Sequence, residues 1–275
     1  MTLSETSPAI SSPGPHEAAR FLLQDRTWGA YPLGYLDPSS DVLSQVWTSE
    51  EAGETNSLVM LAQLPQLVSV YACGDPGGID RVLEALPAAP ASGVFSARAE
   101  ALHSLERHFH ISTSYQMRRM RADARSLRPR RELAVSRLGI DDLDAVKRIY
   151  GMWTDSHQLP GQLTRGIYFG VYRGAELIAV AGTHAVSPLY GVGAIGNVLT
   201  HSNYRNRGLA STTTSAVAAE LFRLGCDEII LNVRHGNDAA LATYRGLGFT
   251  DHCTFMEGVF HARAGRRPGY RPGYG

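Results

Sequence analysis

The chain has 275 residues, a formal net charge of +0, a hydrophobic fraction of 44% and a mean hydropathy of −0.15. This composition suits a packed globular protein, and the length exceeds what one ordinary core needs, so two domains are expected. The zero net charge removes any global attraction for nucleic acid or an anionic membrane. The cysteines Cys73, Cys226 and Cys253 are widely spaced and odd in number, which argues against a disulfide framework and against a metal site.

The first half of the chain mixes helical and strand periodicities. Residues 1–15 are rich in Ser and Pro and are predicted to be disordered, without the features of a secretory signal. The spacing of apolar residues predicts three helices, over His16–Arg26, Gly77–Leu86 and Ser96–Phe109. It predicts four strands, over Ser44–Thr48, Leu58–Leu64, Leu67–Cys73 and Thr113–Met120. We therefore expect an α/β domain over residues 16–121, and we find no catalytic constellation in it.

An arginine-rich segment separates the two halves. Residues 118–131 hold seven Arg and one Asp, whereas residues 1–117 hold 13 acidic residues and 5 Arg. A nucleic-acid patch is one interpretation, but the acidity of the first half and the lack of interleaved aromatics oppose it. A solvated linker over 122–131, or ion pairs between domains, is the favoured interpretation.

The second half has a clearer order of elements. A strand over Glu132–Leu138 and a helix starting near Leu143 are followed by an irregular stretch, 151–166. A hairpin is predicted over Tyr168–Tyr172 and Glu176–Ala185. The remaining elements are a strand at Ala194–Thr200, a helix at Gly208–Leu224, a strand at Glu228–Val233, a helix at Asp238–Leu247 and a strand pair near Thr250–Phe260. This second domain spans 132–261, and residues 262–275 are predicted to be a disordered tail.

The turn between the strand at 194–200 and the next helix has the properties of an anion site. The first turn of a helix carries unpaired N–H groups and partial positive charge. Gly208 lets the backbone approach a ligand closely. Arg205 and Arg207 add forked donors suited to phosphate, and Ser211 and Thr212 add hydroxyls. The arrangement suits a diphosphate.

Three other phosphate or nucleophile motifs can be set aside. A Walker A loop needs a Lys, and the only Lys of the chain is Lys147. A literal GxGxxG occurs at 191–196, but it precedes a strand, whereas dinucleotide binding requires it after a strand and before a helix. No GxSxG elbow is present.

Two motifs together resemble the GNAT superfamily of acyl-CoA-dependent N-acyltransferases over roughly 132–260. The first is R-x-x-G-x-A at 205–210, between a strand and a helix, and the second is N-x-x-A-x-x-x-Y-x-x-x-G-F at 237–249. The stretch 195–201 looks closest to the glycine-N-acyltransferase-like branch, which also carries a degenerate N-terminal GNAT-like domain. The resemblance implies a GNAT fold in the α/β class, with a central, mostly antiparallel, twisted sheet flanked by helices, in two tandem domains.

The resemblance also implies acetyl-CoA, or another acyl-CoA, as donor and an amine as acceptor, with direct attack on the thioester. It assigns backbone pairing with the pantetheine arm to the strand and diphosphate binding to the turn. The donor-binding residues that it implies are Val198, Leu199, Thr200, Arg205, Asn206, Arg207, Gly208, Leu209, Ala210, Ser211, Asn232, Asn237, Ala240 and Tyr244.

The catalytic groups are less determined. Tyr244 is either a packed aromatic or, as the resemblance implies, the acid that protonates the leaving thiolate. Many family members place a Glu on the strand before the turn, but Ala194–Val198 has no carboxylate, so His184 and His201 are the candidate bases. A structural role for either His, or a water chain in its place, stays open.

The sequence does not determine which amine is the acceptor. Met152, Trp153 and His157 are candidates for the wall of the acceptor pocket. A non-catalytic acyl-CoA sensor is the alternative function. No stretch approaches 18 apolar residues, so we expect no membrane partner. The zero net charge argues against a nucleic-acid partner. We expect a cytoplasmic monomer or homodimer.

Overall fold

The computed structural model describes residues 9–65, 67–130, 133–151 and 159–263. It is mixed α/β. Its helices are α1 (Pro15–Leu22), α2 (Ala30–Leu36), α3 (Pro76–Ala85), α4 (Ala99–His108), α5 (Leu143–Tyr150), α6 (Leu159–Arg165), α7 (Leu209–Arg223) and α8 (Asp238–Gly246). Its strands are β1 (Ala9–Ser11), β2 (Leu43–Glu51), β3 (Glu54–Leu64), β4 (Leu67–Gly74), β5 (Ser92–Ala97), β6 (Phe109–Asp123), β7 (Ser136–Arg137), β8 (Phe169–Arg173), β9 (Glu176–Ser187), β10 (Val192–Thr200), β11 (Glu228–Arg234) and β12 (Thr250–Ala262).

These elements form two compact units that interleave along the chain. Unit 1 takes the described residues up to Asp25, residues 40–117 and those from Thr254 onward, and unit 2 takes 26–39 and 118–253. The sequence predicted contiguous domains instead, divided by a linker at 122–131. The difference arises because β6 and β12 are long strands that each run from one unit into the other, and because residues 26–39 fold with the second unit.

Unit 1 contains a sheet in the order β1-β2-β3-β4-β5-β12, in which β4 and β5 are parallel and the other recorded pairs are antiparallel. Helices α3 and α4 pack together and against these strands. Alternating apolar residues of the strands meet the apolar stripes of the helices, which is why the core forms on this face. The core includes Val59, Val70, Ile79, Leu83, Phe95, Leu105 and Phe260.

Unit 2 contains strands in the order β6-β11-β10-β9-β8-β7. The pair β10 and β11 is parallel and is connected by α7, whereas β10, β9, β8 and β7 pair in antiparallel fashion. Helix α7 packs against β8, β9 and β10, α5 packs against β9, and α2 packs against β9 and β10. The main core of the unit includes Ile195, Val217, Leu221, Ile229, Leu231, Leu241 and Phe249.

The arginine-rich segment is buried near its start, whereas Arg125, Arg128 and Arg130 are exposed. Residues up to Asp123 belong to β6, and Arg119 is only 1% exposed. Its guanidinium donates to the Trp28 carbonyl at 2.5 Å and, through Nε, to Asn232 Oδ1 at 3.0 Å. Further along, the Arg128 and Arg130 amides donate to the Leu247 carbonyl and Ser215 Oγ, at 2.8 and 3.0 Å. Burial near Arg119 and the backbone hydrogen bonds of Arg128 and Arg130 connect this segment to unit 2.

Several predicted boundaries also differ from the structure. Residues 9–11, predicted to be disordered, pair as β1 with β2. The helix predicted from Ser96 starts at Ala99, because residues 96 and 97 finish β5. The strand predicted at 132–138 is described from residue 133 onward, and within that part only residues 136 and 137 form strand β7, which pairs with β8. Strand β12 is one continuous strand instead of the predicted pair. Within the stretch predicted to be irregular, residues 159–165 form α6.

In the parts of the chain that the structure describes, no helix has the length and apolarity needed to cross a membrane.

Candidate functional site

The site lies where two parallel strands of unit 2 separate. Strands β10 and β11 pair from Val192↔Glu228 to Ile195↔Leu231, and the recorded pairing ends there, although β10 continues to Thr200. On its other edge β10 stays paired with β9 as far as Thr200↔Ala179. The β11-facing edge of β10 beyond Ile195 therefore offers backbone donors and acceptors to a ligand. Val198, Leu199 and Thr200 lie on this stretch.

Thr200 adds a polar side chain to this edge of β10. Its Oγ1 is buried and has no hydrogen-bond partner among the described residues. A buried hydroxyl without a partner costs free energy, which a bound polar group would recover.

The turn after β10 places a helix N-terminus beside exposed basic side chains. Asn206 and Gly208 have φ of 60° and 74°, so the chain reverses through two left-handed residues before α7 starts at Leu209. Gly takes this conformation without strain, and Asn tolerates it better than most residues. The Thr212 amide donates to the Gly208 carbonyl at 2.9 Å and closes the first helical turn. The N–H groups of residues 209–211 precede that bond and remain available to an anion.

The side chains of the turn are open to solvent. Arg205, Asn206 and Arg207 are all exposed. Arg207 lies over the ring of Tyr204, 5.5 Å from its centroid, and donates to the Asn203 carbonyl at 3.4 Å. Ala210 and Ser211 are half-buried on the first turn of α7. The geometry suits a diphosphate bound by main-chain donors with arginines at its rim.

Helix α8 follows β11 and contributes Asn237, Ala240 and Tyr244. The Asn237 side chain caps the helix, since its Oδ1 accepts from the Ala240 amide at 3.2 Å. Tyr244 is 8% exposed and packs in the cluster that contains Ile195 and Leu231. Burial raises the pKa of its phenol to about 12, so the hydroxyl is protonated at neutral pH. A protonated phenol there is a hydrogen-bond donor.

His184 is the extra residue of a β-bulge. Ala185 pairs with Ala194 and Thr183 pairs with Ile195, so His184 has no partner residue on β10. A bulge of this kind re-aims a side chain, and the His184 ring lies over Gly196. A Cβ placed on Gly196 would be 2.1 Å from His184 Cε1, so only glycine leaves room for the ring. Gly196, the last glycine of the GxGxxG sequence at 191–196, therefore has a steric role.

The electrostatics of His184 suit a proton acceptor. Its side chain is exposed at one side, while protein atoms surround the rest of the ring. Burial lowers its pKa below the usual value, while interaction with Asn197 acts in the opposite direction. Tyr31 Oη lies 2.9 Å from His184 Nδ1. The lowered pKa keeps the imidazole neutral at neutral pH, in contact with both Tyr31 and Asn197.

The other candidate base, His201, has a structural contact. Its Nδ1 accepts from the Asn203 amide at 3.3 Å, and its ring lies 5.5 Å from that of Tyr204. This side chain caps the short 3-10 turn at 202–204, before the diphosphate turn. A ring held in that way has less freedom to serve an acceptor amine.

A polar network that the sequence did not reveal lies at a second bulge. Asn197 has φ of 53°, and β10 carries one extra residue between Gly196 and Leu199. The Asn197 side chain donates to Tyr168 Oη at 2.6 Å and to Gln162 Oε1 at 3.2 Å, while Tyr150 Oη donates to the Asn197 carbonyl. These contacts hold the strand in its bulged form. No motif links residues 150, 162, 168 and 197, so the folded chain alone identifies them.

Four predicted site residues remain, and the structure describes one of them, Asn232. Asn232 lies on β11, and its Oδ1 accepts from Arg119. Met152, Trp153 and His157 lie outside the described residues. Among the residues that are described, no group of three or more His, Cys, Asp or Glu side chains is arranged to hold a metal ion.

Unit 1 repeats the strand–helix–strand connection but without these features. Its parallel strands β4 and β5 pair from Val68↔Gly93 to Ala72↔Ala97, so the pairing continues to the last residue of β5. Helix α3 follows β4 directly, and the Asp75 side chain accepts from the Gly78 amide at 2.7 Å. A carboxylate already occupies the end of this helix where an anion would bind.

Comparison with known proteins agrees with this geometry. Residues 139–249 match the model of the Acetyltransferase (GNAT) family. A comparison with curated protein sequences finds no significant match.

Solved structures share the fold at low sequence identity. A Drosophila protein superposes with a TM-score of 0.70 at 14% identity, covering 93% of this chain and 99% of its own. A GCN5-related N-acetyltransferase from Sphaerobacter thermophilus gives 0.59 at 17% identity, with 94% and 96% covered. A tandem GNAT protein from the clavulanic acid biosynthesis pathway gives 0.54 at 11% identity, with 95% and 100% covered.

The separating strands β10 and β11 and the helix N-terminus after Gly208 lie in the part of the chain, residues 139–249, that is similar to the Acetyltransferase (GNAT) family.

Proposed function

We propose that the chain is an acyl-CoA-dependent N-acetyltransferase, which transfers an acetyl group from acetyl-CoA to an amine by direct attack. The observation that carries this proposal is the junction of β10 and α7. There an unpaired strand edge leads into a helix N-terminus with free N–H groups and exposed arginines. The pantetheine amides would pair with residues 198–200, and the diphosphate would sit on the N–H groups of 207–211 beside Arg205.

The proposed chemistry needs one proton acceptor and one hydrogen-bond donor. An ammonium substrate gives its proton to His184, whose pKa burial keeps below the usual value. The freed amine attacks the thioester carbonyl, with the Leu199 amide as candidate donor to the oxyanion. The C–N bond forms, the C–S bond breaks, and Tyr244 donates to the leaving thiolate. His201 stays a less favoured alternative because its Nδ1 caps a turn.

Two finer points stay predictions. Placement in the glycine-N-acyltransferase-like branch depends on the amino-acid sequence of residues 195–201 alone. A GNAT origin for unit 1 is supported by its parallel β4–α3–β5 connection and by the fold shared with a tandem GNAT protein.

Calorimetry with acetyl-CoA tests the donor site. The Gly208→Glu variant puts a carboxylate and a Cβ where the diphosphate would lie, and we expect at least a hundredfold weaker binding. Gly53→Glu is the matched control, because Gly53 also has positive φ, at 83°, and has open space around it in unit 1. Absence of binding to the wild type, or equal binding by the Gly208→Glu variant, would refute the proposal.

A sensor is the alternative function, motivated by the lack of a carboxylate on Ala194–Val198. Incubation with acetyl-CoA and a panel of primary amines, with release of free thiol as the readout, separates the two functions. An enzyme releases thiol in an amine-dependent way. Tight binding with no release above the amine-free rate would favour the sensor.

A further inference from the structure

The segment formed by residues 26–39 brings an aromatic residue to the candidate site from far away in the sequence. It folds within unit 2, and its helix α2 packs against β9 and β10. Gly34 allows this close approach, since a Cβ there would be 2.6 Å from the Ala185 Cβ. Tyr31 lies one helical turn before Gly34, so the same approach brings its hydroxyl to 2.9 Å from His184 Nδ1.

Buried polar contacts fix this segment at both ends. Near its start, Thr27 Oγ1 donates to Glu228 Oε1 at 2.6 Å, and Arg119 donates to the Trp28 carbonyl. At its end, Asp37 accepts from Ser187 Oγ at 2.5 Å, three residues after His184 on β9. Tyr31 is therefore held on both sides and does not depend on a flexible loop.

We propose that Tyr31 is a positioning residue for His184: its hydroxyl oxygen accepts the Nδ1 proton and leaves Nε2 as the nitrogen that takes the proton of the acceptor amine. This inference depends on the proposed N-acetyltransferase function. In the step, the ammonium N–H bond breaks and an Nε2–H bond forms. His184 becomes an imidazolium, and Tyr31 keeps its own proton throughout.

Three groups on the elements packed around the pair affect its electrostatics. The Arg119 guanidinium lies 5.2 Å from the centroid of the Tyr31 ring and opposes a second positive charge nearby. The Asp37 carboxylate is engaged by Ser187 and Ser39. The Asn197 amide on β10 is neutral, and its hydrogen bond with His184 acts to raise the pKa of the imidazole. With Arg119 nearby, a protonated His184 gains from an acceptor at Nδ1, and Tyr31 provides it.

The test is the titration of His184 followed by NMR of imidazole-labelled protein, with the His184→Gln variant assigning the signal. We expect the neutral wild-type ring to carry its proton on Nδ1. In Tyr31→Phe we expect the pKa to fall by about one pH unit, because the charged form loses a hydrogen-bond acceptor. The acid limb of the kcat/KM profile with acetyl-CoA and an active amine should move to lower pH by the same amount.

Tyr35→Phe is the matched control, since it removes a hydroxyl from the same helix. We expect its titration and its pH profile to follow the wild type. A neutral ring protonated on Nε2, or an unchanged pKa in Tyr31→Phe, would overturn the inference even if the wild type is active. A wild type that fails to bind acetyl-CoA would instead refute the proposed function, whatever the titration shows.

Discussion

At the scale of single residues, backbone geometry distinguishes the two candidate bases. His184 and His201 look equivalent in sequence, since each is a lone histidine beside the same strand. The bulge at His184 and the missing Cβ of Gly196 place one ring beside the open part of β10. His201 caps a turn. The difference arises from pairing register, which the sequence does not show directly.

Tyr244 gives a prediction at this scale. Tyr244→Phe removes the hydroxyl that we assign to the leaving thiolate while keeping the ring packed against Phe249. We expect kcat to fall about a hundredfold, with acetyl-CoA binding by calorimetry nearly unchanged. An unchanged kcat would show that Tyr244 is a packing residue, which is the other interpretation of this position.

At the scale of elements, the two parallel connections of the chain explain why we propose one acyl-CoA site. Strands β10 and β11 stop pairing at Ile195↔Leu231, and α7 starts after a turn with Gly208. Strands β4 and β5 stay paired to Ala72↔Ala97, and α3 starts directly with the Asp75 cap. The same order of elements therefore gives separated strand ends in unit 2 and strands that stay paired in unit 1.

Asp75→Ala tests this contrast. Loss of the cap should destabilise unit 1 by about 1 kcal/mol, measured as the free energy of unfolding in urea. Because unit 1 is proposed to hold no donor, calorimetry should still give one acetyl-CoA per chain with wild-type affinity. A changed stoichiometry, or a changed affinity in a folded variant, would contradict a single site in unit 2.

At the scale of the whole molecule, the chain builds its second unit from two distant segments. Residues 26–39 fold together with residues 118–253. Near the end of the first segment, Asp37 accepts a hydrogen bond from Ser187 on β9. Burial acts to raise the pKa of Asp37, but hydrogen bonds from Ser187, Ser39 and the Leu189 backbone outweigh it and hold the pKa below its usual value. Asp37 therefore stabilises the folded state as a carboxylate.

This linkage has a definite sign. A carboxyl group whose pKa is lower in the folded state contributes stability above its unfolded pKa of about 3.9, and loses it as the pH falls through the folded value. We expect Asp37→Asn to be about 1–3 kcal/mol less stable than the wild type at pH 7. The gap in urea midpoints should close as the pH falls below 4. A gap that is the same at pH 7 and at pH 3 would contradict the role of the Asp37 charge.

The sequence by itself determined the features that depend on neighbours along the chain. Helical and alternating periodicities located most elements of unit 2, and the R-x-x-G-x-A turn indicated the anion site, because a helix N-terminus after a glycine turn is a local arrangement. The Asn237 cap is also a local arrangement, since its Oδ1 accepts from the Ala240 amide three residues later.

Only the tertiary structure decided what depends on contacts between distant residues. Arg119 is buried and donates to the Trp28 carbonyl of the distant segment at 26–39. Tyr31 meets His184 across 153 positions of sequence, and Asn197, Gln162 and Tyr168 meet at a bulge. Burial and strand register are properties of the packed chain, so neither periodicity nor a local motif could reveal these groups.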